Sequence, residues 1–171
     1  HVADFVQEQR AAIRGFEAAR KALECEICAQ AVGGSRASAR LVREALENLY
    51  VYSTELGDPF DITVAVRDGQ SVHVNSGDVF FAPENVPVGL GEGQTINLLE
   101  YHEALLGLRK ASLGTEDFQA IYLLHELGHV MGGLPRDFGA ADRSLDNTRT
   151  VTRNCFQELL RSQPTAENLA L

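Results

Sequence analysis

Apolar residues recur every three or four positions from Val2 to Ala31, through Phe5, Val6, Ala12, Ile13, Phe16, Ala19, Leu23 and Ile27. That spacing predicts one long amphipathic helix. Gly33-Gly34-Ser35 ends it, and helical spacing resumes over Ser38 to Tyr52 with Leu41, Ala45, Leu46, Leu49 and Tyr52. Two helices joined by a short Gly turn are expected to pack antiparallel. The period then changes to two: Ile62 to Val66 and Val72 to Val74 alternate around Arg67-Asp68-Gly69, which predicts a β-hairpin. A two-residue turn would set Val64 opposite His73, whereas a three-residue loop sets Val64 opposite Val72 and Ile62 opposite Val74. The second keeps one face apolar and is the expected register.

Asn75 to Asp78 turns the chain into Val79-Phe80-Phe81, and Pro83 to Gly93, rich in Pro and Gly, reads as a loop. Its Gly89-x-Gly91-x-Gly93 has neither a Lys nor a strong strand before it, so it is no phosphate cradle. A short apolar stretch, Thr95 to Leu99, leads to a helix over Glu100 to Lys110 that ends near Gly114. Thr115 then caps a helix whose first turn holds Glu116 and Asp117, acids that suit the positive end of the helix dipole. This helix runs to Met131 and stops at Gly132-Gly133-Leu134-Pro135. Asp137 to Asn147 reads as a polar loop, and Asn147 or Thr148 as the cap of a last helix reaching about Arg161. The pattern describes a single domain, residues 1–171, of the α+β class. It is mostly helical with a small antiparallel sheet, built round the 115–131 helix, with residues 1–34 as a long N-terminal helix packed on it.

A chain of 171 residues with 15 Lys+Arg against 24 Asp+Glu carries a formal net charge of −9. With no basic run, it has no electrostatic footprint for nucleic acid or for anionic membranes, and no window is apolar for long enough to span a bilayer. Charges at Asp4, Glu8, Arg10, Arg14, Glu17 and Arg20 occupy the region where the apolar core of a signal peptide would lie, so none is expected in this stretch. The three cysteines are Cys25, Cys28 and Cys155. Cys25-Glu-Ile-Cys28 has C-x-x-C spacing, but no second such pair completes a four-ligand metal site. A bridge from Cys155 to one of the two, tying the last helix to the first, is the expected arrangement. It implies a secreted or periplasmic bacterial protein.

The candidate chemistry lies in His125-Glu126-Leu127-Gly128-His129. Residues four apart in a helix sit one above the other, so both imidazoles project from one face and can converge on a single metal ion. Glu126 lies about 100° round, placed to reach a water on that metal. With His125 at 0°, Phe118, Ile121, Tyr122, His129 and Gly132 fall within about 60°, and Ala120, Leu123, Leu124, Leu127, Val130 and Met131 lie opposite. Apolar on two faces, the helix is expected to be central. Two histidines and a glutamate on so apolar a helix are costly to bury without a partner, and a metal removes that cost.

H-E-x-x-H resembles the signature of the zincins, the zinc metallopeptidases, over residues 125 to 132. The resemblance implies one Zn²⁺ per chain held by His125 and His129, with Glu126 as catalytic general base on the zinc-bound water and a peptide or protein as substrate. It also implies an edge strand holding substrate in extended form, for which the hairpin or Val79 to Phe81 would serve. The third ligand departs from the metzincin pattern: Gly132 matches, Pro135 stands at the ligand position, and no Met follows. An aspzincin-like arrangement, with an Asp a short loop downstream, fits better. Asp137 is the favoured ligand because Gly132-Gly133 lets the chain turn and Pro135 stiffens its approach; Asp142, Asp146 and the gluzincin-like Glu158 are alternatives. His73 and His102 read as solvated side chains, and Tyr122 as a packed ring with its hydroxyl in water. The rival to a peptidase is a non-enzymatic binding or interaction domain in which the motif is vestigial or holds a structural metal.

Overall fold

The computed structural model describes residues 13–56, 61–65, 71–137 and 140–160. Among the described residues, seven helices accompany a three-stranded sheet and a separate two-stranded hairpin, an α+β architecture. In chain order they are α1 (Gly15–Ala22), α2 (Glu26–Gly33), α3 (Ala39–Glu47), β1 (Tyr50–Thr54), β2 (Thr63–Ala65), β3 (Ser71–Asn75), α4 (Asp78–Phe81), β4 (Pro87–Gly91), β5 (Gln94–Asn97), α5 (Leu98–Leu106), α6 (Thr115–Met131) and α7 (Ala141–Cys155). Short 3-10 turns cover Pro83–Asn85 and Gln157–Leu159. None of the described helices is long and apolar enough to cross a membrane.

Helix α6 spans the predicted residues, but Gly114 rather than Thr115 is its N-cap, and the Thr115 hydroxyl donates to Glu84 Oε2 instead of capping the helix. Every residue from Phe118 to Gly128 except Tyr122 is buried, because the helix is apolar on both faces and touches α1, α2, α3, α4, α7, β2 and β3. Gly132, at φ 77°, closes it in the left-handed conformation that glycine adopts without strain. The next residue, Gly133, passes against α2 so closely that a Cβ would fall on the Val32 carbonyl and 2.6 Å from the Gly34 nitrogen.

The N-terminal helix is not continuous. Of the expected span, residues 2–12 lie outside those described, and the rest forms two helices with a break over residues 23–25, Cys25 taking an extended conformation at the start of α2. Geometry explains the break. In one straight helix Cys28 and Val32 would lie about 180° and 220° round from Ala19, facing away from the core that Ala19 and Leu23 enter. All four are fully buried, so the chain must reorient between the two halves. The expected Gly turn does separate α2 from α3, and Ser38 caps α3 by accepting from the Leu41 N–H.

The second expected helix ends early. α3 stops at Glu47, and the β-branched and aromatic run from Tyr50 to Thr54 pairs parallel to β3 as β1, giving a mixed sheet of order β1-β3-β2. The β2–β3 register also differs from the expected one. Val64 stands opposite His73, Thr63 opposite Val74 and Ala65 opposite Val72. Both faces of β3 are largely buried, so a single apolar face does not decide the pairing. Instead the register turns Thr63 towards α6, where its hydroxyl meets Glu126. Val79-Phe80-Phe81 is not a strand but part of the helical turn α4.

The Pro83 to Gly93 segment is not a plain loop either. Gly91, Glu92 and Gly93, at φ 88°, 50° and 76°, reverse the chain tightly enough to pair β4 with β5. Asn97 and Glu100 form a reciprocal capping box that starts α5 two residues before the expected position. α7 begins at Ala141, well before the expected cap, and ends at Cys155. It is polar along its length, and in its second half Thr148, Thr150, Thr152 and Asn154 each donate to the carbonyl four residues back, which satisfies them along the helix. The disulfide joins Cys28 to Cys155, tying α7 to α2, and Cys25 is a free, exposed thiol.

Candidate metal centre

Beyond the end of α6 the chain doubles back under control of α7. Leu134 N–H donates to the Gly128 carbonyl at 3.1 Å, Asn147 Nδ2 to the Pro135 carbonyl at 2.8 Å and Arg143 Nη1 to the Arg136 carbonyl at 3.0 Å. Asp137 is thereby carried back over His125 and His129. Its Oδ2 lies 3.1 Å from His125 Nε2 and 3.2 Å from His129 Nε2, and the two Nε2 atoms lie 2.9 Å apart. Zinc bonds of roughly 2.0–2.2 Å hold any two ligand atoms within about 4.4 Å, so these three atoms fit around one ion. The donor set, two imidazoles and a carboxylate, suits Zn²⁺.

Proton bookkeeping points the same way. His125 Nδ1 lies 2.9 Å from the Thr148 hydroxyl, and that hydroxyl is 2.9 Å from the Ser144 carbonyl, which can only accept. Three acceptors, His125 Nε2, His129 Nε2 and Asp137 Oδ2, then converge on one another with at most a shared proton among neutral rings. One proton satisfies one of the three contacts, whereas a dication satisfies all three. His129 Nδ1 is buried without a partner among the described residues.

Asp142, Asp146 and Glu158 lie outside this group. Asp142 is exposed in the first turn of α7, Asp146 is exposed and 3.6 Å from Arg149, and Glu158 is exposed in the 3-10 turn after α7.

Glu126, on the adjoining face of α6, is buried and held by β2. Thr63 Oγ1 donates to its Oε1 and the Ala65 N–H to its Oε2, both at 2.8 Å. A carboxylate has about four lone-pair sites, so two donors leave capacity for a water. Neither Thr63 nor Thr148 was marked by the sequence as part of the site. Thr63 had no distinguishing signal, and Thr148 read as a helix cap.

One turn before His125, the Tyr122 hydroxyl is not in water but 3.0 Å from His102 Nδ1, and its ring stacks on His125 at 6.4 Å between centroids. His102 is not solvated either. Buried between Tyr101, Phe118 and Tyr122, it has its pKa lowered by desolvation to about 4, so the ring is neutral near pH 7. Burial, with Glu126 nearby, pushes the Tyr122 phenol well above its ordinary value. His73 is half-buried against Tyr52. No protein-family model, curated protein or solved structure matches the chain.

Proposed function

We propose that this chain is a zinc-dependent metallopeptidase, with His125, His129 and Asp137 holding the ion and Glu126 acting as general base. The observation that carries the reading is the convergence of three lone-pair atoms at 2.9–3.2 Å, an arrangement a proton cannot satisfy and a dication can. When bound, Zn²⁺ supplies Lewis acidity: it lowers the pKa of a water towards 7 and polarises a carbonyl. Glu126 takes a proton from the attacking water and returns it to the leaving amine, and the Thr63 and Ala65 donors keep its carboxylate oriented while it does so. The Cys28–Cys155 bridge suits an oxidising, secreted or periplasmic location.

A second reading has support in the same place. Both Glu126 oxygens are already occupied by β2, which suits a domain whose metal is structural and whose Glu126 braces the sheet. Metal analysis of the purified protein and of His129→Ala, with hydrolysis of a mixed peptide library by native protein and by Glu126→Gln, separates the two. The peptidase reading expects about one zinc per native chain, lost in His129→Ala, and cleavage abolished in Glu126→Gln while its zinc remains. Zinc without cleavage in the native protein favours the structural role, and no zinc in either chain overturns both.

A further inference from the structure

The cysteines supply one bridge and one free thiol that the proposed hydrolysis does not use. Cys25 is free and exposed and is the N-cap of α2, fixed there by the Ala29 N–H donating to its carbonyl at 3.0 Å. Cys28, three residues on in the first turn, is fully buried and bridged to Cys155, the last residue of α7. Cys25 and Cys28 are thus the N-cap and N3 positions of one helical turn. Cα atoms three apart in a helical turn stand roughly 5 Å apart, within the roughly 4.4–6.8 Å that a disulfide spans.

We propose that Cys25 is the attacking thiol of an internal thiol–disulfide exchange. Cys25 loses its proton, its thiolate attacks Cys28 Sγ, the Cys28–Cys155 bond breaks, and Cys155 leaves as a thiolate that takes up a proton. One S–S bond forms as one breaks, so no oxidant or reductant is needed. Cys155 is only partly buried, so its leaving thiolate meets water. The exchange replaces a cross-link between positions 127 residues apart with one between positions three apart. It therefore unties α7, the helix that sets Thr148 against His125, from α2.

The test uses the whole chain, purified without reductant, held folded at pH 8, then quenched in acid, alkylated with N-ethylmaleimide and digested with trypsin. Cys25 and Cys28 share the peptide 22–36, bounded by Lys21 and Arg36, and Cys155 lies on 154–161, bounded by Arg153 and Arg161. The expected result is an alkylated 154–161 peptide together with an internally bridged 22–36 peptide. Both rise over minutes to hours to a constant fraction that does not depend on protein concentration. Cys25→Ser retains the 28–155 cross-link and never yields the alkylated peptide. The proposal is overturned if 154–161 stays wholly cross-linked in the native chain, if its release scales with protein concentration, or if the new bridge joins Cys25 to Cys155 and leaves Cys28 alkylated.

Discussion

Thr148 determines which nitrogen of His125 carries hydrogen. Its hydroxyl, 2.9 Å from His125 Nδ1, has its only proton directed at the Ser144 carbonyl, so it accepts from Nδ1–H and leaves Nε2 as a lone pair facing Asp137. Thr148→Val keeps the shape but strands a buried N–H, at a cost of about 1–3 kcal/mol. It is also expected to weaken zinc binding by roughly 10- to 100-fold. Thr148→Ser retains the hydroxyl and restores both. Denaturant unfolding and competition against a zinc chelator measure the two effects.

The bridge between α2 and α7 closes most of the described chain into one loop, with its ends 127 residues apart. The chain-entropy account gives about 5 kcal/mol for a loop of that length. Cys28→Ala with Cys155→Ala is therefore expected to lower the unfolding free energy by up to that amount, read from urea unfolding of the two proteins under matched conditions.

His102 is expected to make the fold acid-sensitive. Its folded-state pKa of about 4 lies below the unfolded value near 6.5, so between those limits the unfolded chain binds a proton that the folded chain refuses. Stability is therefore fully present above pH 6.5 and declines as the pH falls towards 4, by up to about 3 kcal/mol. Unfolding curves taken at intervals from pH 7 to 4 should show this slope, and His102→Gln should flatten it. An unchanged slope in the variant would place the sensitivity elsewhere.

Gly133 is expected to be the glycine least tolerant of a methyl group. The neighbours of an added Cβ are all backbone, the Val32 carbonyl and the Gly34 nitrogen, and backbone cannot turn aside as a side chain does. Gly133→Ala should cost about 3 kcal/mol or more and disturb the chain leading to Asp137. Gly89→Ala, with nothing within 4 Å of the new atom, should stay within about 0.5 kcal/mol of the parent. Thermal melts of both variants test the contrast.

What the sequence disclosed depended on how locally each feature is determined. The span of helix α6 was legible, though not its cap, because burial on both faces, acids in its first turn and Gly132 at its close all act within the segment. The return of Asp137 to the two imidazoles was legible from Gly132-Gly133 and Pro135, and a cross-link to Cys155 from the cysteine count. The break between α1 and α2 was not, because the apolar spacing continues through Leu23 and only the position of the core shows that one straight helix cannot bury both halves. The start of α7 was hidden by its composition: Ser144, Asp146 and Asn147 resemble a loop until their partners along and beside the helix are seen. The β2–β3 register was hidden for a different reason. Its deciding contact is the Thr63 hydroxyl on Glu126, 63 residues away, which no alternation within the hairpin encodes.

The grip of Glu126 on β2 also bears on association between copies of the chain. β2 lies at one margin of the sheet, and the Ile62 carbonyl accepts from Asn75, so the strand's inward groups alternate with the outward N–H of Ala65. An outward row of N–H and C=O groups is a template on which another strand can grow. At Ala65 that donor is taken by a carboxylate from the chain's own helix, which stands where the first hydrogen bond of an added strand would form. A strand joining this margin must displace a buried acid to gain its first rung, so the side chain that holds the sheet against α6 also guards the protein against stacking edge to edge.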